Sequence, residues 1–568
     1  MLICGIKASH DGGVAVIEDG RLLFSYEIEK LNNGERYSSL GDLERVTEIL
    51  AAEGLSPADI DQFVVDGWYT KDAAGEHAVK VNAGGLPVQL RVAPYLESPG
   101  DDGPLQRHTF SGHGFDNYAG YTHVANHLIG TYCSSPFAAR GEDAFVLVWD
   151  GLITPRLYRV RAATREVIFV ESLLPAFGGS FAAFCSRFEP YVLNTDDITS
   201  DTYIRQHLSV AGKAMAYAAK GRVETGAFAV FDDLMAEFRD LPVDKVGVLG
   251  DKVAANRDEL MPGLSNADLI ATYQAYIGHH LLARLTSAVR SRFPDGGHNL
   301  VLGGGCALNI KWNTAIRAGG VFQEVFVPPF PNDAGAAIGT AACEMFRRGR
   351  TALEWDVYSG PRITTGTLPD GWRAQPCDER QLAALLHTEG EPVVVLSGRA
   401  ELGPRALGNR SILAPATDTR MKDRLNDIKN RAPYRPVAPI CLEERAPEVF
   451  APGTPDPYMI FEHRMRPSWA ERVPAVVHLD GTARLQTIAS TQDTDTARIL
   501  TAYAEISGVP VLCNTSANLE GRGFFPDVES AAGWGGTRYI WSEGTLYTNP
   551  REESANYATR RSQCDSRK

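Results

Sequence analysis

The 568-residue chain has no apolar run approaching the ~18 residues that a membrane-crossing helix needs. Its first residues, Met1 to Lys7, lack the basic start and long apolar stretch of a secretory signal. The nine cysteines stand singly, at positions 4, 133, 185, 306, 343, 377, 441, 513 and 564. That odd, scattered set offers neither a disulfide framework nor a C-x-x-C zinc site, and a cytoplasmic location is expected. Positive charge is also in deficit, with a formal balance of -14. Such a balance argues against a nucleic-acid surface, although a local basic patch survives any average.

What is present is the composition of a soluble globular protein, 44% hydrophobic and 22% charged. Single cores rarely grow beyond ~250–300 residues, so more than one domain is expected. The stretch Tyr121-Thr-His-Val-Ala-Asn-His127 reads as helix and sets His123 and His127 on one face, about a turn apart. One metal ion can bridge two nitrogens so placed, although His pairs at this spacing also occur as ordinary helix-surface or capped core residues. The glutamate of H-E-x-x-H is missing, which removes the zincin protease and its general base.

Met1 to Ile6 reads as a strand, followed by the turn His10-Asp11-Gly12-Gly13 and strands over Val14–Glu18 and Leu22–Tyr26. Actin-like ATPases build their first phosphate-facing loop from a strand, a glycine turn and a returning strand. A plain β-meander is the bland alternative, but a hairpin has no need of His10 and Asp11 together ahead of its glycines. A helix over Leu43–Glu53 and a strand over Gln62–Asp66 follow. Residues 68–110, rich in Gly, Pro and Asp, read as an irregular surface excursion.

Ala144 to Trp149 is a buried strand ending in Asp150-Gly151. A carboxylate at a strand's end, with glycine behind it, suits a metal or a magnesium phosphate; an ordinary Asp-Gly turn is equally compatible. Gly212-Lys213 reads as a helix start able to hold an anion, or as a solvated lysine. A long amphipathic helix over Asp268–Phe293 leads into the strand Asn299–Leu302 and the turn Gly303-Gly304-Gly305, with Asn309 in the next helix. That turn fits a nucleotide phosphate or ribose lying against backbone. Asp333 opens a helix backed by small residues. Asp150, Asp333 and the His pair make a four-ligand set whose mixed donors suit Fe(II), Zn or Mn without selecting among them.

The composition shifts over 347–378, and the domain boundary is placed there: units 1–350 and 379–550, then a tail 551–568. After a helix over Glu379–Thr388 and a strand over Pro392–Leu396 comes the densest polar signal in the chain. Arg399, Arg405 and Arg410 stand among glycines, followed by Lys429, Arg435 and Arg484, then Asn514-Thr-Ser516-Ala-Asn518. Planar arginine forks and compact ammonium groups match phosphate and carboxylate oxygens. So many cations in Gly/Pro-fixed loops point to an anionic small molecule; solvated surface arginines would not need that rigidity.

Together these motifs resemble the O-carbamoyltransferases of antibiotic biosynthesis, the family of the tobramycin, cephamycin, ansamycin and nodulation carbamoyltransferases. The matching segments are His10-Asp11-Gly12, His123-x-x-x-His127, Asp150-Gly151, Gly212-Lys213, Gly304-Gly305-Cys-Ala-Leu-Asn309 and Asn332-Asp333-x-Gly335. In the second half they are Glu401 to Ser411, Lys429-x-Arg431-x-x-x-Arg435, Thr482-Ala-Arg484 and Asn514-Thr-Ser516. They run in order from about residue 3 to 545.

The resemblance implies an α/β protein with an N-terminal actin-like (ASKHA) ATPase-fold domain and a C-terminal YrdC-like domain. The C-terminal domain would convert carbamoyl phosphate and ATP into carbamoyl-adenylate and pyrophosphate. Lys429, Arg435, Arg484 and Ser516 would hold carbamoyl phosphate, with Arg405 near the nucleotide phosphates and Asn514 beside them. The N-terminal domain would bind one divalent metal, Fe2+ by expectation, on His123, His127, Asp150 and Asp333, with ATP taken as its Mg2+ complex. Gly12, Gly151, Lys213, Gly304, Gly305 and Asn309 would cradle the nucleotide. His10 or Asp11 would assist attack by the hydroxyl of a natural product. A homodimer is a family-level expectation, with no nucleic-acid or membrane partner.

Two departures bear on acceptor choice: Ala517 where the family usually has Phe, and the second glycine of Gly12-Gly13. The acceptor pocket is expected in residues 68–110 and 170–210. An actin-fold metabolite kinase is the first rival, but it leaves 398–518 without a task. A nucleotide-sensing scaffold would not need all four metal ligands, and tRNA modification sits poorly with the acidic balance.

Overall fold

Two sheets face each other across a pair of helices in the first half of the chain. The computed structural model describes residues 1–98, 103–194, 201–237, 247–364 and 366–549. The first sheet has six strands in the order Arg21–Glu27, Gly13–Glu18, Leu2–Lys7, Gln62–Asp66, Phe115–Tyr121, His108–Gly112. Leu2–Lys7 runs antiparallel to Gly13–Glu18 and parallel to Gln62–Asp66. The second sheet orders Glu166–Ser172, Arg156–Arg161, Ala144–Val148, Asn299–Gly303 and Glu324–Phe326.

Strand alternation fixes what each face covers. Ile3, Ala15 and Ile17 point inward with Val146, Val148 and Val301 of the second sheet, onto the helices His123–Cys133 and Ala336–Arg347. Cys4, Ile6, Val14 and Val16 point outward beneath the helix Glu44–Ala52. Because both faces are covered, these strands read as continuous apolar runs. The two inner helices touch backbone to backbone: a Cβ on Gly130 would stand 2.6 Å from Gly339 Cα, and one on Gly339 2.3 Å from Asn126 O.

Two expectations are corrected. Residues 68–110 are not wholly irregular, since Ala78–Ala83 and Leu86–Arg91 form a hairpin and His108–Gly112 joins the first sheet. Val79, Val81 and Leu90 pack into the outer core, and the Gly84-Gly85 turn between the strands takes positive φ at both residues. Gly212-Lys213 does not open a helix. It lies inside Asp201–Tyr217, so its backbone N–H groups are committed to the helix, and Lys213 Nζ reaches back to Ser209 Oγ at 3.4 Å.

The second half is built on an eight-stranded mixed sheet in the order Arg373–Pro376, Thr545–Thr548, Tyr539–Ser542, Val393–Leu396, Arg410–Pro415, Val511–Ser516, Ala438–Leu442, Gln486–Ile488. The helices Glu379–Glu389 and Asp495–Ser507 cover it. The connection between the halves is ordered along the first sheet's edge: Leu22 N–H donates to Glu354 O (2.8 Å) and Ser25 N–H to Ser359 O (2.9 Å). Among the described residues no helix is long and apolar enough to cross a membrane, and the cysteines are unpaired.

Candidate metal centre and anion site

His123 and His127 point their Nε2 atoms at one another, 3.1 Å apart, from the first two turns of their helix. Asp333 Oδ1 lies 3.3 Å from each of them, and Asp150 Oδ2 3.8 Å from His123 and 3.9 Å from His127. Asp150 follows the strand Ala144–Val148, and Asp333 begins the short turn ahead of the inner helix Ala336–Arg347. One donor atom from each of the four residues falls within 4.8 Å of the others, and all four are buried. Lone-pair donors that converge in a buried space fit a divalent cation. Two nitrogens and two oxygens are a borderline set for first-row transition metals.

The groups behind the quartet reinforce that fit. His123 Nδ1–H donates to Asp66 Oδ2 at 2.9 Å, which leaves Nε2 free to face the quartet. Asp66 also accepts from Lys7 Nζ (2.7 Å) and from the Asn126 amide. Lys7 lies 2.9 Å from Asp333 Oδ2. Burial opposes the charge on Asp66, but His123 and Lys7 hold its carboxyl below the usual range. For Asp150, burial and Asp333 push upward, yet the two imidazoles bring it down to about 2. Tyr95 stacks on His123 with centroids 4.5 Å apart and directs its hydroxyl to Asp150 Oδ2 at 3.4 Å. Trp68 sets its ring edge against His10 at 5.3 Å, and Tyr69 continues this wall outward, 43% exposed.

Lys7, Asp66, Trp68 and Tyr95 were missed as site residues. Asp66-Gly67 carried the same strand-end signal as Asp150-Gly151 and was readable. The others depend on how distant segments meet.

His10 Nδ1–H donates to Asp11 Oδ2 at 2.9 Å, and Asp333 Oδ2 is 3.6 Å away. Gly12 is not a phosphate cradle: its N–H donates to Ser38 O (2.7 Å), and a Cβ would stand 2.3 Å from Leu40 N. Gly304 has φ +86, and its missing side chain admits Trp149 O; Gly305 N–H donates to Asp150 Oδ1 at 2.5 Å. These two glycines therefore seat the Asp150 carboxylate. Asn309 caps the helix Ile310–Ala318 rather than lying inside it, accepting from Lys311 N at 3.1 Å. A Cβ on Gly151 would meet nothing within 4 Å, so that glycine borders open space.

In the second half Arg405, Arg431, Arg435 and Arg484 come together, joined by Arg36 from the first half. The turn carrying Arg36 is pinned across the halves by Arg36 N–H to Gly521 O (2.9 Å) and Gly523 N–H to Gly34 O (2.8 Å). Burial and the neighbouring Arg36 and Arg435 bring the Arg405 guanidinium down to about 10. Burial, Arg435, Arg36 and Arg405 bring Arg431 down to about 9. Half-buried cations that depress one another form a site that an anion stabilises. The Nε atoms of Arg405 and Arg484 have no hydrogen-bond partner among the described residues.

Lys429 lies at this site but its ammonium is held by Ser516 O (2.7 Å) and by both oxygens of Asn518. Ser516 Oγ donates to Asn518 Oδ1 at 2.7 Å, and Arg431 donates to Thr515 Oγ1 at 3.1 Å. Asn514 Nδ2 bonds Gln486 Oε1 (2.7 Å) and Ala406 O (3.1 Å), so it braces the Arg405 loop. Two arginines of the polar stretch serve the fold instead of an anion. Arg410 is buried and donates to Ser397 O, Asn409 O and Gly398 O, and Arg399 pairs with Glu53 at 2.6 Å.

Comparison with known proteins decides the family. The model of the carbamoyltransferase N-terminus matches residues 2–102 and 113–343, and that of the carbamoyltransferase C-terminus matches 383–536. The chain belongs to the carbamoyltransferase family. This carbamoyltransferase is 45% identical to Nodulation protein U of Sinorhizobium fredii over 97% of its own length and 99% of that protein's. It is 33% identical to the 3'-hydroxymethylcephem-O-carbamoyltransferase of Streptomyces clavuligerus, over 92% and 94% of the two chains. The activator of 2-hydroxyisocaproyl-CoA dehydratase from Clostridium difficile overlaps 61% of it and 96% of that chain, at 16% identity. Its TM-score of 0.33 is too low to carry any argument.

Proposed function

We propose that this carbamoyltransferase makes carbamoyl-adenylate in its second half and transfers the carbamoyl group to an alcohol in its first. The observation that most supports this is the pairing, in one chain of this family, of a buried nitrogen–oxygen quartet with a separate cluster of cations. The reading takes residues 1–350 as an actin-like ATPase-type unit and 379–550 as a YrdC-like unit.

In the cation cluster, Arg435, Arg484 and Lys429 hold carbamoyl phosphate, and Arg405 takes the nucleotide phosphates. Lys429 must exchange one of its carbonyl partners for the ligand. Hydrolysis releases inorganic phosphate and leaves carbamate, whose oxygen attacks the α-phosphorus of ATP as pyrophosphate departs. At the quartet, His123, His127, Asp150 and Asp333 would hold a divalent cation, iron(II) by family resemblance, which supplies Lewis-acid stabilisation to the adenylate phosphate. The acceptor hydroxyl oxygen attacks the carbamoyl carbon, and AMP leaves. Asp11 fixes the proton of His10 on Nδ1, so Nε2 is the atom that takes the hydroxyl proton. The acceptor enters along the wall of Tyr69, Trp68 and Tyr95. The name of the cephem relative places transfer on a hydroxymethyl oxygen, and a primary alcohol of a natural product is the acceptor class proposed here.

The test is an acceptor-free incubation with ATP, carbamoyl phosphate and a divalent metal. Pyrophosphate that requires carbamoyl phosphate and is lost in Lys429→Ala or Ser516→Ala is the expected result. ADP without dependence on carbamoyl phosphate would overturn the reading in favour of a kinase.

A further inference from the structure

The helix Ile310–Ala318 starts at the glycine turn that seats Asp150 and runs onto the second half of the chain. Asn313 Nδ2 donates to Ile460 O at 3.0 Å, Thr314 Oγ1 accepts from Glu462 N at 2.9 Å, and Arg317 lies 3.7 Å over the Phe461 ring. Its second residue, Lys311, places its ammonium between two carboxylates of the other half, Glu462 at 2.5 Å and Asp480. An exposed ion pair would contribute little. This one is partly buried and continues into a chain of hydrogen bonds whose direction is fixed.

Arg484 N–H donates to His478 Nε2 at 3.3 Å, which forces the ring proton onto Nδ1. Nδ1–H faces Thr482 Oγ1 at 3.4 Å, and the Thr482 hydroxyl donates to Asp480 Oδ1 at 2.6 Å. Burial, with Arg484 and Lys311 adding to it and Asp480 opposing, brings His478 down to about 3, so the ring is neutral and can accept. Asp480 comes down to about 2 despite burial, through Lys311 and Thr482. Every link has one donor and one acceptor, and the chain ends on the backbone of Arg484. The Arg484 Nε has no hydrogen-bond partner of its own among the described residues.

We infer that Lys311 is a positioning residue for carbamoyl phosphate: from the first half it fixes the Asp480–Thr482–His478 chain that aims Arg484 in the second. The inference rests on the proposed role of Arg484. It gives the anion site a part that the second half alone does not contain.

Acceptor-free pyrophosphate formation by the full-length protein tests it. Lys311→Met and Thr482→Val are each expected to raise KM for carbamoyl phosphate about tenfold, the scale at which second-layer groups act, while kcat and KM for ATP change by less than about twofold. Lys311→Arg restores the wild-type KM. Thr482→Val interrupts the chain away from the joint between the halves, so the result does not depend on whether Lys311→Met folds. An unchanged KM in Thr482→Val, beside an Arg484→Ala protein that has lost carbamoyl phosphate dependence, overturns the inference alone. Unaltered kinetics in Arg484→Ala overturn the two-site reading and the inference with it.

Discussion

At His123 the ring nitrogen that faces away from the quartet donates to Asp66, and Asp66 is itself held by Lys7 and Asn126. Replacing that carboxylate with an amide removes the charge that fixes the proton on Nδ1. Asp66→Asn is expected to weaken divalent metal binding about 10- to 100-fold, measured by competition with a chromophoric chelator. Unchanged affinity would show that the quartet orients itself without the outer carboxylate. At this scale the sequence reading went far: helical spacing marked the two histidines, a strand end followed by glycine marked Asp150, and a helix start backed by small residues marked Asp333. The geometry now brings those four together. Arg36 was not readable, because its place among the second-half arginines depends on a turn of the first half docking at Gly521 and Gly523. Lys429 illustrates the converse, a cation found by motif whose donors the fold itself engages.

At the scale of elements, one inner helix carries His123 and His127, Asp333 lies just ahead of the other, and the two helices leave each other no spare room. A methyl group at Gly339 would stand 2.3 Å from Asn126 O, one residue before His127. Gly339→Ala is expected to cost about 1–3 kcal/mol and to lower bound metal in the same protein, checked by thermal unfolding and by metal analysis. The far end of that helix holds Glu344, fully buried and paired with Arg347, Arg348, Arg107 and the Tyr121 hydroxyl. Burial opposes its charge, but these partners bring the carboxyl from 4.5 down to about 2. Its contribution is therefore complete above about pH 4.5 and lost as the pH falls toward 2. Glu344→Gln is expected to lose about 3 kcal/mol at neutral pH, and the gap to wild type should close across that acidic window in urea unfolding. The continuous apolar strands of both inner sheets were legible because covered faces need no polar alternation. The hairpin 78–91 was not, since two short strands divided by Gly-Gly in a Pro-rich stretch look like loop.

For the whole molecule, the halves are joined by buried polar contacts that neither could satisfy alone. Lys30 Nζ, 1% exposed on its side chain, donates to Glu27 Oε1 (2.7 Å), Glu401 O (2.6 Å) and Gly403 O (2.7 Å). Glu27 Oε1 also accepts from Gly403 N–H, while Glu401 Oε1 gathers the N–H groups of Leu407, Asn409 and Arg410. Removing one member strands a buried charge, which costs about 3–5 kcal/mol. Lys30→Met is expected to split a single calorimetric transition into two, and one cooperative transition retained at the wild-type temperature would argue against coupling through this joint. None of these pairings was visible beforehand, because residues 27–30 and 401–403 meet only once both sheets have formed.

The segment 354–359 has a consequence for how the protein is made. It covers the outer strand Arg21–Glu27, whose hydrogen-bonding edge is otherwise open. On the ribosome that strand emerges long before its cover, so the growing chain passes through an interval with a bare β-edge of the kind that recruits other chains. A chain stopped at residue 350 would remain in that interval permanently. It should form larger assemblies in solution than the 568-residue chain does, a difference that light scattering would read.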